Sequence, residues 1–121
     1  VKQDGTLVVP KSHTNSILPS ITRRSLVQVA QDLSMTVDER YVTWEEVAGG
    51  EFVECGLCGT AAVISPVGQI DKVNGADQEV VFPAGCTEIG PVMKQLRETL
   101  TGIQDGKLED KHGWVCKIDV D

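Results

Sequence analysis

Ile89, Val92, Met93, Leu96, Leu100 and Ile103 fall on one side of a helix, with Lys94, Gln95, Arg97 and Glu98 on the other. This long amphipathic stripe constrains the chain most, because it requires an apolar partner surface. Aromatic residues make up only 4% of the 121 residues, against 40% apolar residues in all, so that partner must be aliphatic. A second amphipathic stretch supplies part of it. Leu26, Ala30 and Leu33 recur at helical spacing with Val27 beside them, while Arg24, Gln28, Gln31 and Asp32 face outward. The helix over 88–104 has Pro91 in its first turn and Gly106 as its stop. The one ending near Leu33 has Ser20 or Thr22 as its N-cap.

The remaining apolar residues sit in short runs. Thr6 to Pro10 and Thr36 to Val42 read as strands. Thr43 with Glu46 forms a capping box for a short helix that Gly49-Gly50 ends. Phe52 to Cys58 and Ala61 to Val67 read as strands interrupted at Gly59-Thr60, the second mostly apolar and so buried. Val80 to Phe82 reads as a further short strand, and Trp114 to Val120 as a last one. Strands and helices mix without strict βαβ alternation, which predicts one α+β domain over residues 1–121. There is no internal repeat and no low-complexity linker.

The net charge of −7 argues against nucleic acid or an anionic membrane as partner, since both need clustered Lys and Arg. No apolar run reaches the roughly 20 residues of a membrane span. The start, Val1 to Gly5, lacks the apolar stretch of a signal peptide and an initiator Met, which fits a partial chain. The four cysteines are Cys55, Cys58, Cys86 and Cys116, expected as free thiols in a reducing compartment. Cys55 and Cys58 form a C-x-x-C. A metal site would need a second paired spacing, which Cys86, Cys116, His13 and His112 do not provide. A redox dithiol and a merely structural pair both stay open. His13 and His112 read as surface residues.

Two segments have the chemistry of ligand-binding turns. Leu18-Pro19-Ser20-Ile21-Thr22-Arg23 puts hydroxyl residues at a helix start, where unpaired N–H groups and the helix dipole favour an anion. Gly59-Thr60-Ala61-Ala62 is a small-residue bend between two strands, where a ligand can approach the backbone. The plainer readings are an ordinary helix cap and a β-bulge. No catalytic triad, phosphate loop or nucleotide fingerprint is present.

These segments carry a family resemblance. Leu18 to Arg23 resembles the L-P-G-[IV]-T-R segment of branched-chain amino-acid aminotransferases, fold-type IV pyridoxal-phosphate enzymes. Cys58 to Val67 resembles their G-T-A-A…P-[VI] segment, and Glu88 to Val92 their G-P-V helix start. Ile103 to Gly106 with Glu109-Asp110 and His112 to Trp114 resembles their C-terminal signature. Ser20 stands where the family usually has Gly, which is tolerable if no positive φ is needed. The family's animal redox C-x-x-C positions correspond to Ala62 and Ser65, so that role does not transfer to Cys55/Cys58.

The resemblance implies the C-terminal part of the large cofactor domain, with mixed sheets forming a pseudo-barrel and flanking helices. It implies pyridoxal phosphate as cofactor, with Leu18 near its ring and Ile21, Thr22 and Thr60 at its phosphate. Gly59, Thr60 and Ala61 would meet the substrate carboxylate. The parent enzyme would transfer the amino group between leucine, isoleucine or valine and 2-oxoglutarate, as a cytoplasmic homodimer. The Schiff-base lysine belongs to an upstream segment, so no catalytic residue and no metal ligand is expected in this chain, and by itself it is expected to be inactive. D-amino-acid aminotransferase and aminodeoxychorismate lyase share the two-turn site and are the alternatives. A non-catalytic interaction module on the same scaffold is a third.

Overall fold

The computed structural model describes residues 1–11, 17, 20–71, 79–83 and 88–118. The element order is β1 (Leu7–Pro10), α1 (Ile21–Asp32), β2 (Val37–Arg40), α2 (Trp44–Ala48), β3 (Cys55–Gly59), β4 (Val63–Val67), β5 (Gln69–Ile70), β6 (Val80–Val81) and α3 (Pro91–Gln104). Among the described residues the strands form three two-stranded sheets. β1 and β2 are parallel, whereas β3–β4 and β5–β6 are antiparallel. The architecture is α+β, as the mixed pattern predicts, with one βαβ unit inside it (β1–α1–β2). Two parallel strands cannot be joined by a tight turn, so α1 is the crossover.

The core lies where α1 and α3 pack against each other and against β3 and β4. Leu26, Val29 and Ala30 of α1 meet Met93, Leu96, Leu100 and Ile103 of α3, with Ile64 of β4 and Leu7 of β1. The α3 stripe is therefore as expected from Val92 to Ile103, whereas Ile89 packs on the core from before the helix, which starts at Pro91 rather than at 88. On α1 the inner residue is Val29, 1% exposed, rather than Val27, which is half-buried. Gly56 makes the α3–hairpin contact possible. A Cβ there would come within 3.0 Å of the Ile64 Cγ2 atom and 3.2 Å of the Met93 sulfur.

The start of α3 is tied to the chain before β3. Its N-cap, Gly90, has no side chain with which to cap the helix. Glu54 does so from 38 residues away. Its carboxylate accepts the N–H of Val92 at 3.2 Å and of Met93 at 3.0 Å, and the residue is 6% exposed. An acidic group at a helix N-terminus gains both the orphan donors and the dipole. Gly90 is required for this approach, since a Cβ there would lie 2.2 Å from Glu54 Oε1.

Other boundaries follow local chemistry. The capping box on α2 forms as predicted, with Thr43 Oγ1 accepting from Glu46 N and Glu46 accepting from Thr43 N. α3 ends in a Schellman motif. The N–H of Gly106 (φ +76°) meets Ile103 O, and that of Lys107 meets Gly102 O. α1 ends the same way, Ser34 N–H to Gln31 O and Met35 N–H to Ala30 O, but with Ser34 at φ +61° in place of a glycine.

Three further expectations are corrected. β3 begins at Cys55, and Phe52 makes only an isolated bridge to Lys2. Ala61 and Ala62 belong to a turn, and in β4 only Ile64 is buried, because a two-stranded hairpin covers one face. The Trp114–Val120 strand does not form over 114–118. That stretch is instead bent by Asp110, whose carboxylate accepts the N–H groups of Trp114 at 2.9 Å and Val115 at 2.7 Å. His112 is at the surface, as expected, and in addition its ring stacks on Trp114 (4.8 Å) and its Nε2 is 2.7 Å from Asp32 at the end of α1. His13 and Cys86 lie outside the described residues.

Cys55 and Cys58 lie in one extended strand, so their Cα atoms are separated by about 10 Å and their side chains leave opposite faces. A disulfide needs Cα atoms within about 7 Å. Strand β3 thus keeps the pair apart. Burial raises the pKa of the Cys55 thiol, while Cys58 is exposed near the hairpin tip.

Three outcomes follow from these contacts. Glu54→Ala should cost about 2–4 kcal/mol in urea unfolding, since a buried and a part-buried donor lose a charged acceptor, and Glu54→Gln should cost less than half of that. Ser34→Gly should stabilise by roughly 0.5–1 kcal/mol, measured the same way, because the left-handed backbone penalty exceeds the added unfolded-state freedom. Hydrogen bonds from His112 to Asp32, and from the Val115 and Trp114 amides to Asp110, hold both carboxyl pKa values below the usual range. Their stabilisation is present above the unfolded-state pKa and is lost as pH falls through the lower folded values. Trp114 fluorescence should therefore report release of residues 110–115 as pH falls below about 4.

Candidate functional site

The α1 start is built by Ser20. Its φ of −115° is ordinary extended backbone, so a serine fits there without strain, and its Oγ accepts the N–H of Arg23 at 3.0 Å. The Ser20 carbonyl takes the N–H of Arg24 at 3.2 Å. The first two helical N–H groups, those of Ile21 and Thr22, have no acceptor within the helix. They lie at the positive end of a 12-residue dipole. Ile21 is 73% exposed and Thr22 half-buried. Leu18 lies outside the described residues.

The second segment is the tip of the β3–β4 hairpin and is not a bulge. Gly59 pairs with Val63, which leaves Thr60, Ala61 and Ala62 as a three-residue arch. All three are exposed. Val63 closes the arch at φ +61°, an unusual conformation for a β-branched residue. Its side chain packs against the core, which anchors the tip while its three small residues face outward. Gly59 has open space where a Cβ would stand, so the missing side chain leaves room outside the protein rather than within its packing.

The structure thus groups Ile21 with Thr22 and Gly59 with Thr60 and Ala61. It seats both groups on elements that share one core, with α1 in contact with β3. A groove of about 540 Å³ begins at the first turn of α1 and runs between α1, α3 and the C-terminal tail. Ile21, Arg24, Gln28, Leu100, His112 and Trp114 are among its walls, and neither Gly59 nor Thr60 is.

Charged residues flank the α1 start. The Arg23 Nη2 group donates to Glu39 Oε2 at 3.2 Å and to Pro10 O at 3.4 Å. Arg40 binds Asp38 through Nε at 2.9 Å and both oxygens of Glu46 through Nη1 at 2.9 Å. The hydrogen bonds from Arg40 hold the Glu46 carboxyl below its usual pKa. Sequence reasoning gave Arg23 and Glu39 no role. The available signal was an Arg in the first turn of a helix that follows one strand and precedes a charged one, Asp38-Glu39-Arg40. Both segments expose backbone donors and hydroxyls without a general base among them. That chemistry suits holding oxyanions rather than moving protons. Among the described residues no cluster of His, Cys, Asp and Glu could hold a metal ion.

Comparison with known proteins gives the family. Residues 1–70 match the amino-transferase class IV family. A probable branched-chain-amino-acid aminotransferase of Staphylococcus epidermidis is 46% identical over 120 residues, 96% of this chain and 32% of that protein. The branched-chain-amino-acid aminotransferase of Haemophilus influenzae is 44% identical over 98% of this chain and 33% of its own length. The crystal structure of the Escherichia coli branched-chain amino acid aminotransferase superposes with a TM-score of 0.72 at 34% identity, covering 93% of this chain and 34% of that one. The chain therefore spans about a third of the length of the relatives it matches. By sequence and by fold, the chain belongs to the class IV aminotransferase family.

Proposed function

We propose that this chain is the C-terminal part of a branched-chain aminotransferase that moves an amino group between leucine, isoleucine or valine and 2-oxoglutarate, with pyridoxal phosphate as cofactor. The observation that carries the reading is the pair of donor-bearing turns, the Ser20-capped start of α1 and the Thr60–Ala62 arch, rising from one core. Both fit oxyanions by the chemistry of their donors, and the open space over Gly59 leaves room for a ligand against the backbone.

In this reading the cofactor phosphate is held by the N–H groups of Ile21 and Thr22, by the Thr22 hydroxyl and by Thr60. By the resemblance, Leu18 would lie near the cofactor ring. The N–H groups of Thr60 and Ala61 hold the substrate carboxylate above Gly59. Bound pyridoxal phosphate would supply an electron sink for the α-carbon of the amino acid. This chain's part is to bind and orient. Of its described lysines Lys11, Lys94, Lys107, Lys111 and Lys117 are exposed and Lys2 is half-buried, and none belongs to either turn. The lysine that anchors the cofactor and moves the proton is assigned to the rest of the parent, a cytoplasmic homodimer. The 121-residue chain alone is then inactive.

The test is titration of the parent polypeptide with pyridoxal 5′-phosphate, together with a valine:2-oxoglutarate assay. Thr60→Val should raise the cofactor Kd about tenfold, the scale of one hydrogen bond to a charged group. The 121-residue chain should show no amino transfer. A parent that binds no pyridoxal phosphate, or an isolated chain that transaminates, would overturn the reading.

A further inference from the structure

Arg23 lies in the first turn of α1, one residue beyond Thr22, and its guanidinium is turned away from the helix start toward the sheet. Its two acceptors belong to the last residues of two different strands. Pro10 closes β1, and Glu39 is the penultimate residue of β2. The strands are parallel, with Pro10 opposite Arg40, and the pairing continues in Lys11 N–H to Arg40 O at 2.9 Å. Their carboxyl ends therefore lie side by side, and one guanidinium from the crossover helix bridges them. Glu39 is left for this contact by strand alternation. Asp38 and Arg40 share one face of β2 and bind each other, whereas Glu39 leaves the other face.

We propose that Arg23 is a positioning residue for the phosphate-binding turn. By joining the first turn of α1 to the ends of β1 and β2, it fixes where the Ile21 and Thr22 N–H groups point. The inference rests on the phosphate reading of that turn and adds to it a residue that does not touch the ligand. Stability alone does not account for the contact. The Arg23 and Glu39 side chains are 22% and 40% exposed, and ion pairs so open to water add little to folding free energy. Their effect is on direction. Among the described residues, Ser20 also holds the helix start, through contacts internal to the turn, and Arg23 supplies a register with the neighbouring strands.

The experiment uses the parent polypeptide and two probes that differ only in the phosphate, pyridoxal 5′-phosphate and pyridoxal, with inorganic phosphate as competitor. Arg23→Met should raise the Kd for pyridoxal 5′-phosphate about fivefold, which is what about 1 kcal/mol of lost alignment gives. It should weaken competition by inorganic phosphate in parallel, leaving the Kd for pyridoxal and the thermal midpoint nearly unchanged. Arg24→Met removes the same charge from the next, exposed position and should change neither affinity, which separates direction from a general electrostatic effect. Arg23→Lys and Glu39→Gln each keep part of the contact and should fall between wild type and Arg23→Met. They carry the test if Arg23→Met does not fold.

The proposal is overturned if these variants leave the phosphate-dependent affinity unchanged, or if they weaken pyridoxal and pyridoxal 5′-phosphate by the same factor. It is also overturned if Arg24→Met has the same effect as Arg23→Met. A wild-type protein that binds both probes equally would instead remove the phosphate reading itself, and the role of Arg23 with it.

Discussion

The Glu54 carboxylate at the start of α3 is the contact on which the rest of the molecule depends. α3 supplies four of the buried side chains of the core, and its first turn has no cap of its own. Without an acceptor, the buried Met93 N–H and the part-buried Val92 N–H would be unpaired, a cost comparable to a sizeable part of a small domain's net stability. Glu54 meets that need from just before β3, so the same residue fixes where the helix begins and where the hairpin leaves the core. Gly90 is the complement, since the carboxylate occupies the space a Cβ would fill.

From that junction the arrangement propagates by packing. Gly56 lets Met93 lie against Ile64, which seats the hairpin on α3. Leu26, Val29 and Ala30 seat α1 on the same surface. The α1 start and the hairpin tip are far apart in sequence, yet each is one end of an element whose other end is set in a shared aliphatic core. Polar contacts then refine direction: Ser20 within the turn, Arg23 across to the strands, and Asp32 with His112 at the far end of α1.

Much of this is legible in the sequence, for reasons that differ by residue. The α3 stripe is read from its period, the Thr43/Glu46 capping box from its spacing, and Gly106 as a stop from its freedom at positive φ. The two turns are recognisable because hydroxyl and small residues gather at an element boundary. Glu54 is not legible, because its partners are backbone groups 38 residues away and no local pattern marks it. Val29 is missed because a one-position rotation of a short stripe is not fixed by hydrophobicity alone. The strand expected over 114–118 fails because Asp110 offers its backbone N–H groups a nearer acceptor than another strand would. Period 2 within β3 separates Cys55 from Cys58, yet the C-x-x-C spacing suggests a pair until the strand is known.

Val63 holds a left-handed backbone at the mouth of the hairpin while its side chain stays in the core. That strain, of order 1–3 kcal/mol, is met once, when the chain folds. In the proposed function, a ligand would meet the arch of Thr60, Ala61 and Ala62 already shaped by the fold. Its binding entropy would then reflect displaced water and its own lost motion rather than the ordering of the tip. The shape of the hairpin tip is in this sense set by the folding of the domain rather than by a ligand.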